Sequence, residues 1–345
     1  MKLKLDKKYV PIAATLAVAA LLYLGVGVKY PNFLSLRVFV NFFRDNAFLG
    51  VIAIGMTLVI ISGGIDLSVG SMIAFVGILC AQLITNLGVN PLLAFAIALL
   101  CGSLIGFLMG CLIQIYKAPP FIVTLAGMFF CRGLANVISL ESIPIDNPLF
   151  IKILKFGIYL PGSIKVPTTV LAFLAVFVVF LYLMHYTKFG RNVYAIGGSS
   201  QSALLMGLRI GRTRILIYTL SGFLSSLAGI VYILNTPAGN SLAGVGIELD
   251  AIACVVIGGT LLTGGVGFLA GTFIGLLIQA IIKTFLTFSN LSTWWTKIAI
   301  GVLIMVFILL QRFFSQASSL MRTQAVVEFK NPRPDAAGRA STGAS

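Results

Sequence analysis

The chain alternates long apolar runs with short polar segments, and the length of the runs predicts the kind of element. The first run covers Val10 to Val28, and the block from Ala47 to Tyr116 has Asp66 as its only charged side chain. Five further runs follow: Phe121 to Leu140, Pro167 to Tyr186, Ile215 to Asn235, Ala251 to Lys283 and Thr296 to Gln311. A helix needs roughly 20 apolar residues to cross a membrane core about 30 Å thick, whereas a transmembrane strand is shorter and alternates in polarity. The runs therefore predict transmembrane helices.

Breaks inside the runs predict how many helices there are. "SGGIDLS" and "TNLGVNP" divide the long block into three crossings, and "TGGVG" divides Ala251 to Lys283 into two, while Tyr30 to Asn46 is expected to form a loop. The first run resembles a signal peptide, but it is longer than the usual apolar region and predicts an uncleaved span. The expected fold class is an all-α polytopic membrane protein of about ten transmembrane helices, with broken helices and an internal pseudo-repeat.

Composition and charge agree with a membrane protein. Apolar residues make up 59% of the 345 residues and charged residues only 10%, which is far outside the usual balance of a soluble domain. The formal net charge of +15 comes from bases scattered among the loops. They form no continuous basic stripe, so we expect a membrane lipid environment and no nucleic-acid partner.

The placement of Lys and Arg predicts the orientation. Loops on the amino-terminal side carry fifteen of these bases and the opposite loops carry six, while Arg132, Lys283 and Lys297 lie in or beside spans and are not counted. By the positive-inside rule both termini are expected in the cytoplasm. We therefore expect a transmembrane domain over residues 1–315, with a cytoplasmic loop at 187–214, and a disordered cytoplasmic tail over 316–345.

Glycine spacing indicates both helix contacts and helix breaks. Gly102, Gly106 and Gly110 form GxxxGxxxG, and Gly271 and Gly275 form a further pair, as expected for closely packed helices. The stretch "GGIDLSVG" is echoed by "GGTLLTGG", and two related halves with broken helices are typical of transporters. Candidate residues of the translocation path or helix breaks are Gly63, Gly64, Asp66, Ser68, Thr124, Gly258, Gly259 and Thr263.

Asp66 admits three interpretations. It can cap the helix that begins near Ser68, line a path for a polar solute, or relay protons. The relay is disfavoured because no other acid lies in the same block. Capping alone, and capping together with path lining, both stay open.

Two more acids, Glu248 and Asp250, come just before an apolar run on the side predicted to be external. Acids in the first turn complement the helix dipole, which explains them structurally. The alternative is an outer docking or gating role.

The segment from Lys188 to Arg214 carries five bases and no acid and is predicted to be cytoplasmic. A glycine turn at Gly197 and Gly198 is expected to precede a short helix over Ser199 to Leu208. That helix would present an apolar ridge to water, formed by Ala203, Leu204, Met206 and Leu208. An apolar ridge of this kind indicates a partner protein.

Several kinds of chemistry are missing from the sequence. No GxxxxGK[ST] motif is present, and "GVGFLA" lacks the preceding strand and following acid of a dinucleotide loop. The five cysteines lie in or beside apolar runs, and the single His185 is expected at the membrane interface. We therefore expect no cofactor, no metal site and no catalytic residues, and an intramembrane enzyme is disfavoured.

Four stretches carry a resemblance to a known family: "GMTLVIISGGIDLSVGS", "FIVTLAGMFFCRG", "FGRNVYAIGGSSQSALLMGL" and "LAGVGIELDAIACVVIGGTLLTGGVG". They resemble the permease subunits of bacterial ABC monosaccharide importers of the ribose/galactose type. Within that family, "DNAFLG", "SIPI" and "STWWTKIAIG" are most similar to one of the paired permeases of the galactofuranose importer. The main alternative is a secondary sugar transporter or facilitator that acts alone, but intramembrane acid and base pairs are scarce.

The resemblance implies a set of partners and a bacterial inner-membrane location. An external, periplasmic sugar-binding protein would deliver the substrate, two permease chains would form the path, and ABC ATPase subunits would drive it. The resemblance to a paired-permease system favours a heterodimer over a homodimer. It also implies an ATPase-coupling element formed by Tyr194, Ala195, Ile196, Gly197, Gly198, Ala203 and Gly207, in a chain that is not itself an enzyme.

Overall fold

The computed structural model describes residues 10–160, 162, 164–292, 294–295, 297–306 and 309, and it is mostly helical. This confirms the predicted all-α class. The helices in chain order are α1 (Val10–Lys29), α2 (Leu36–Ile61), α3 (Val69–Ala81), α4 (Pro91–Ile115), α5 (Pro120–Ile138), α6 (Pro148–Lys155), α7 (Thr168–Tyr186), α8 (Lys188–Gly198), α9 (Ser200–Leu205), α10 (Ile210–Asn235), α11 (Ile247–Ile257), α12 (Leu269–Phe288) and α13 (Lys297–Val306). The tail predicted over 316–345 lies outside the described residues.

Short strands connect the helices on one side of the bundle. They are β1 (Ile143–Pro144), β2 (Gly157–Leu160), β3 (Ile164–Pro167) and β4 (Ala238–Gly239). β2 and β3 form an antiparallel hairpin, with Gly157 opposite Pro167. β1 pairs antiparallel with β4, which places Ile143 opposite Gly239. This second pairing ties the segment after α5 to the segment after α10.

Seven of the described helices are long and apolar enough to cross a membrane, which confirms a polytopic membrane protein. They are α2, α4, α5, α7, α10, α12 and α3 with the π-helical turn that extends it to Asn86. The number differs from the expected ten because three apolar runs form shorter elements. α11 has 11 residues and is about 16 Å long, roughly half of the membrane core. The described apolar stretches of α1 and α13 also fall below 18 residues.

The predicted loop from Tyr30 to Asn46 is wrong over most of its length, because α2 begins at Leu36. Ser35 is its N-cap, and the Ser35 Oγ accepts a hydrogen bond from the Val38 amide at 3.4 Å. The sequence argument ended the span at polar residues such as Arg44 and Asp45. Both side chains are more than half exposed, so the helix extends past them without burying their charges.

α10 lies at the centre of the bundle and packs against α2, α3 and α4. The GxxxGxxxG stretch of α4 is confirmed as a helix contact, since a Cβ at Gly106 would lie 3.1 Å from the Gly222 Cα in α10. Gly271 and Gly275 serve the same purpose between α12 and α11, where they contact Gly258 and Cys254. Small residues thus let the backbones approach closely where no hydrophobic force drives helices together.

The segment that follows β4 runs back along α3 into the bundle. A Cβ at Gly239 would lie within 2.8 Å of atoms of Gly77, Ile78 and Ala81, in the second half of α3. Five residues later Gly244, at φ +75°, packs against Gly70 in the first turn of α3. The segment therefore descends antiparallel to α3, and α11 begins beside the start of α3.

Candidate functional site

The first break in the membrane helices separates α2 from α3. α2 ends at Ile61, Gly63 adopts a left-handed conformation at φ +82°, and α3 begins at Val69. Gly64 is buried, and a Cβ there would clash with the Tyr218 hydroxyl of α10. The two glycines are therefore needed for different reasons: Gly63 for its backbone conformation and Gly64 for its close approach to α10.

Asp66 is completely buried in this break, with 0% of its surface exposed. Its Oδ1 accepts hydrogen bonds from the Ser68 amide at 3.0 Å and the Ser68 hydroxyl at 2.6 Å. Its Oδ2 accepts a bond at 2.6 Å from the hydroxyl of Ser221 in α10. The carboxylate thus ties together the break, the entry to α3 and the central helix. This geometry favours the helix-break interpretation over direct contact with a solute.

Thr124 joins the same break from α5. Its side chain is buried, and its hydroxyl lies 2.9 Å from the Pro120 carbonyl oxygen and 3.2 Å from the Ile65 carbonyl oxygen. α5 is therefore held against the irregular backbone between α2 and α3.

The second break lies between α11 and α12. Gly258 packs against Gly271, and Gly259, Gly264 and Gly265 all have left-handed backbone conformations. Thr263 is exposed at the tip of this break. The glycines allow the chain to reverse direction within a few residues between two helices that pack antiparallel.

The two breaks contact each other. The Gly265 amide donates a hydrogen bond of 2.8 Å to the carbonyl oxygen of Ile61, the last residue of α2. A Cβ at Gly264 would lie 2.9 Å from the Gly63 Cα. The echo between "GGIDLSVG" and "GGTLLTGG" indicated two similar breaks, and the structure brings them together through their backbones.

α8 completes this arrangement, which we call the glycine junction (Ile61 to Gly64, Gly197, and Thr263 to Gly265). A Cβ at Gly197 would clash with the Ile61 carbonyl oxygen and lie 2.5 Å from the Gly265 amide nitrogen. The Tyr194 hydroxyl donates a 2.9 Å hydrogen bond to the Gly267 carbonyl oxygen. Burial raises the pKa of Tyr194 to about 12, so this donor keeps its proton at neutral pH.

The predicted glycine turn at Gly197 and Gly198 is wrong, because α8 continues through both residues. Gly197 is small because α8 must approach both breaks closely, whereas a Cβ at Gly198 would meet open space. The chain turns at Ser199, which is extended and whose Oγ caps α9 by accepting a bond from the Ser202 amide. Ala195 is partly buried, and Ile196 is buried beside it.

α9 exposes an apolar surface that differs from the predicted ridge. Ala203 is fully buried, and Leu208 is only partly exposed. The exposed residues are Leu204 (64%), Leu205 (85%) and Met206 (67%). Gly207, at φ +76°, ends this surface by turning the chain towards α10. We call Leu204 to Met206 the α9 apolar surface.

Glu248 and Asp250 lie in the first turn of α11, inside the bundle beside the start of α3. The Glu248 Oε1 accepts a 3.2 Å bond from the Gly246 amide, and its Oε2 packs against Gly70. Asp250 forms an ion pair of 3.1 Å with Lys283 of α12. These contacts hold the two acids within the helix bundle and favour gating over docking in an outer loop.

Arg132 is a functional candidate that the sequence argument did not select. It lies in α5, and its Nη1 donates to the carbonyl oxygens of Ser241 at 2.6 Å and Ala243 at 2.7 Å. Its position thirteen residues into an apolar span was the available signal, since a guanidinium in the membrane is costly without a role.

Comparison with known proteins places these features in context. Residues 38–309, more than half of the chain, match the family described as "Branched-chain amino acid transport system / permease component". The inner membrane ABC transporter permease protein YjfF of Escherichia coli strain K12 is 52% identical over 307 residues, covering 89% of this chain and 93% of that protein.

Two further relatives carry names that include a sugar. The fructose import permease protein FruG of Bifidobacterium longum is 38% identical and covers 90% of this chain and 92% of its own length. The ribose import permease protein RbsC of Escherichia coli strain K12 is 36% identical and covers 82% of this chain and 88% of its own length. No solved structure matches the chain.

Proposed function

Since this chain belongs to the family of transport-system permease components, we propose that it is a transmembrane subunit of an ATP-driven sugar importer in a bacterial inner membrane. It forms half of the translocation path for a monosaccharide and couples that path to cytoplasmic ATPase subunits. As a permease component the chain is not an enzyme, and hydrolysis of ATP belongs to the partner. Relatives named as fructose and ribose import permeases support a monosaccharide substrate.

The observation that carries the proposal is the contact of α8 with both helix breaks. Gly197 touches Ile61 at the end of α2 and Gly265 in the break before α12. The α9 apolar surface follows directly after α8 and is exposed in the isolated chain. A partner bound to α9 would thus pull on an element that abuts both breaks.

This geometry supports a specific coupling mechanism. Movement of a partner ATPase displaces α8 and α9 together, because the Ser199 amide bonds to the Ala195 carbonyl oxygen across the junction between them. The displacement reaches the two breaks through Gly197 and through the bond from Tyr194 to Gly267. The ends of α2 and α11 and the starts of α3 and α12 then shift relative to one another, which opens or closes the path. The coupling residues are Tyr194, Ala195, Ile196, Gly197, Gly198, Ala203 and Gly207.

The partners follow from the same proposal. ABC ATPase subunits bind the α9 apolar surface, a second permease chain completes the path, and a periplasmic sugar-binding protein delivers the sugar. We propose a heterodimer of permease chains, because "DNAFLG", "SIPI" and "STWWTKIAIG" resemble a paired-permease system. The same stretches make galactofuranose the first sugar to test.

The topology completes the picture. We propose about ten membrane elements, in which α1, α11 and α13 supplement the seven long spans, and we place both termini in the cytoplasm. Path residues at the breaks are Gly63, Gly64, Asp66, Ser68, Thr124, Gly258, Gly259 and Thr263, and Glu248 and Asp250 serve gating.

Reconstitution tests the energy source. The chain is inserted into proteoliposomes with its ATPase, the second permease and the binding protein, and uptake of galactofuranose, ribose and fructose is measured. We expect uptake of one of these sugars only when ATP is present on the side of the membrane that carries the ATPase. Uptake by the chain alone, driven by an ion gradient or by the sugar gradient, would instead identify a secondary transporter or facilitator.

A charge placed on the α9 apolar surface tests the coupling site. Leu205→Glu is expected to weaken copurification of the ATPase by about tenfold or more, because loss of a central hot-spot contact costs about 2 kcal/mol or more and a buried charge adds to that cost. Gln201→Glu is the matched control, since it adds the same charge to an exposed polar position of α9. Equal ATPase binding by both variants would show that α9 is not part of the surface that binds the ATPase.

A further inference from the structure

The polar cluster formed by Arg132, Glu248 and the segment Ser241 to Gly246 lies in the membrane interior. Arg132 is twelve residues from the start of α5, about 18 Å along its axis. Glu248 is nine residues, about 14 Å, from the end of α11, where the chain reaches the glycine junction. A membrane core is about 30 Å thick, so both side chains lie near its middle.

The two charges are near each other without forming an ion pair. The Glu248 carboxylate acts electrostatically on the Arg132 guanidinium, but the ion pairs found among the described residues are Arg44 with Asp45 and Lys283 with Asp250. Arg132 uses one nitrogen, Nη1, for both of its bonds to the segment. A guanidinium has five N–H donors, so Arg132 keeps donors on Nε and Nη2 for another partner. Within the described ranges Glu248 makes one hydrogen bond, to the Gly246 amide, and keeps further acceptor sites.

A buried hydroxyl adds to this spare capacity. Ser241 is 1% exposed, and its Oγ makes no hydrogen bond within the described part of the chain, although its carbonyl oxygen accepts from Arg132. Buried polar atoms normally have partners. The cluster therefore combines unused donors, unused acceptors and an unpartnered hydroxyl around one short segment.

The open side of this cluster cannot face lipid. Arg132 and Glu248 are both partly exposed in the single chain, and ionisable side chains at this depth face a bundle interior or a water-filled cavity. The adjacent exposed side chains Leu242, Val245 and Leu249 are apolar. The surface thus offers hydrogen-bonding groups beside apolar patches, which matches the hydroxyl edges and C–H faces of a sugar.

We infer that Arg132 and Glu248 form a sugar-binding subsite in the translocation path, with Ser241 as a third polar contact. Arg132 donates to sugar oxygens and Glu248 accepts from sugar hydroxyls. Because the two formal charges cancel, the subsite gives uronates and sugar phosphates no net electrostatic attraction, and it takes a neutral monosaccharide whose hydroxyls pair with both side chains. The inference rests on the proposed function; it adds Arg132 and Ser241 to the path and gives Glu248 a sugar-binding role in place of docking or gating alone.

Cysteine labelling tests the subsite in the complete complex. Glu248→Cys and Arg132→Cys are each reconstituted with the ATPase, the second permease and the binding protein, and are treated with an anionic or a cationic water-soluble methanethiosulfonate. Wild-type protein with its five native cysteines gives the background. Val178→Cys is the control, because Val178 is exposed on α7 in a purely apolar stretch, where a water-soluble reagent is not expected to reach it.

Three results are expected together. Both variants react, whereas Val178→Cys does not. Glu248→Cys, which leaves Arg132 unbalanced, prefers the anionic reagent, and Arg132→Cys prefers the cationic one, each by about tenfold, as expected for one charge a few ångströms away. The sugar imported by the wild type, among galactofuranose, ribose and fructose, slows both reactions, and the corresponding uronate does not.

Two results would overturn the inference. One is that the cysteine variants assemble but fail to react above background, and the other is that they react at a rate that sugar does not change. If Arg132→Cys fails to assemble, Glu248→Cys and Val245→Cys decide the outcome, because Val245 is exposed on the same segment. Failure of the wild-type complex to import any sugar with ATP would instead refute the proposed function, so the two failures are distinguishable.

Discussion

At the residue scale, Asp66 shows how neutral donors can hold a carboxylate inside a membrane protein. Three donors from Ser68 and Ser221 surround it, and none of its surface is exposed. Bonds to a charged group are typically worth about 1.5–3 kcal/mol each, so the loss of one is measurable. The role of the side chain is to hold the break against α10.

A substitution at Ser221 tests that role. Ser221→Ala removes the donor to Oδ2 and should lower the free energy of unfolding by about 1–3 kcal/mol, because one side of a buried carboxylate loses its partner. Ser225→Ala is the control, since the Ser225 hydroxyl is buried in the same helix and makes no hydrogen bond within the described residues. Thermal unfolding in detergent measures both, and equal melting temperatures would contradict the role assigned to Ser221.

Replacement of Asp66 itself separates a structural bond network from a required charge. In Asp66→Asn the amide oxygen can still accept from Ser68, and the amide N–H groups can donate to the Ser221 hydroxyl. We therefore expect ATP-driven import close to that of the wild type, whereas Asp66→Ala should lose both stability and import. An Asp66→Asn protein that folds normally but cannot import sugar would restore a proton relay or a charged path contact.

At the element scale, α8 matters because it contacts two breaks that are distant in sequence. Gly197 lies against both Ile61 and Gly265, and a Cβ there would clash, whereas a Cβ at its neighbour Gly198 would meet open space. A side chain is therefore expected to be tolerated at Gly198 but not at Gly197. This contrast gives a test of the glycine junction in which helix propensity is held constant.

Gly197→Ala is expected to weaken the junction and Gly198→Ala to leave it intact. The added methyl group at Gly197 would clash with the Ile61 carbonyl oxygen, and overpacking of this kind typically costs about 1–3 kcal/mol. Both changes remove the same amount of backbone freedom, so they differ only in contact. Sugar transported per ATP hydrolysed and thermal stability are the measurements, and equal behaviour of the two variants would dismiss the junction as a coupling element.

The bond from Tyr194 to Gly267 predicts a pH dependence. An unfolded chain ionises tyrosine near its ordinary pKa of about 10, whereas burial raises the pKa of Tyr194 to about 12. The folded state thus favours the neutral hydroxyl. The contribution of the neutral Tyr194 hydroxyl to the free energy of unfolding is complete below a pH of about 10 and is lost as the pH rises to about 12. The difference in melting temperature between wild type and Tyr194→Phe should fall over that range, and a difference that is constant with pH would contradict this assignment.

The sequence predicted element types better than their contacts. Apolar runs and glycine spacing located the seven long spans, the two breaks and the glycine contact face of α4, because those features depend on local composition and period. Other contacts link residues that are far apart in the chain. They are the contact between the two breaks, the hydrogen bond from Ser221 to Asp66, and the hydrogen bonds from Arg132 to the carbonyl oxygens of Ser241 and Ala243. No local pattern specifies such pairs. The glycine turn was wrong for the same reason, since Gly197 is explained by a distant neighbour.

At the scale of the whole molecule, charges inside the bundle favour the proposed second permease chain. The ion pair between Asp250 and Lys283 leaves 28% and 30% of these side chains exposed, and Arg132 and Glu248 are also open on one side. Lipid is a poor environment for any of them. A second permease chain that encloses an aqueous path would cover these groups, which supports the proposed dimer on physical grounds.

The orientation of the whole molecule is the last prediction. The loop side that contains α8 and α9 is rich in Lys and Arg, and Gln114 near the end of α4 contacts Arg214 and Gly211 at the start of α10 on that side. The hairpin of β2 and β3 lies in the opposite group of loops. Because the more basic side stays in the cytoplasm, Leu205→Cys, produced without the ATPase that would cover it, should react with a membrane-impermeant thiol reagent only after spheroplasts are permeabilised. Tyr159→Cys, at an exposed hairpin position, should react in intact spheroplasts. The reverse pattern would place the α9 apolar surface outside the cell, where no ATPase can reach it, and would refute the orientation and the coupling proposal together.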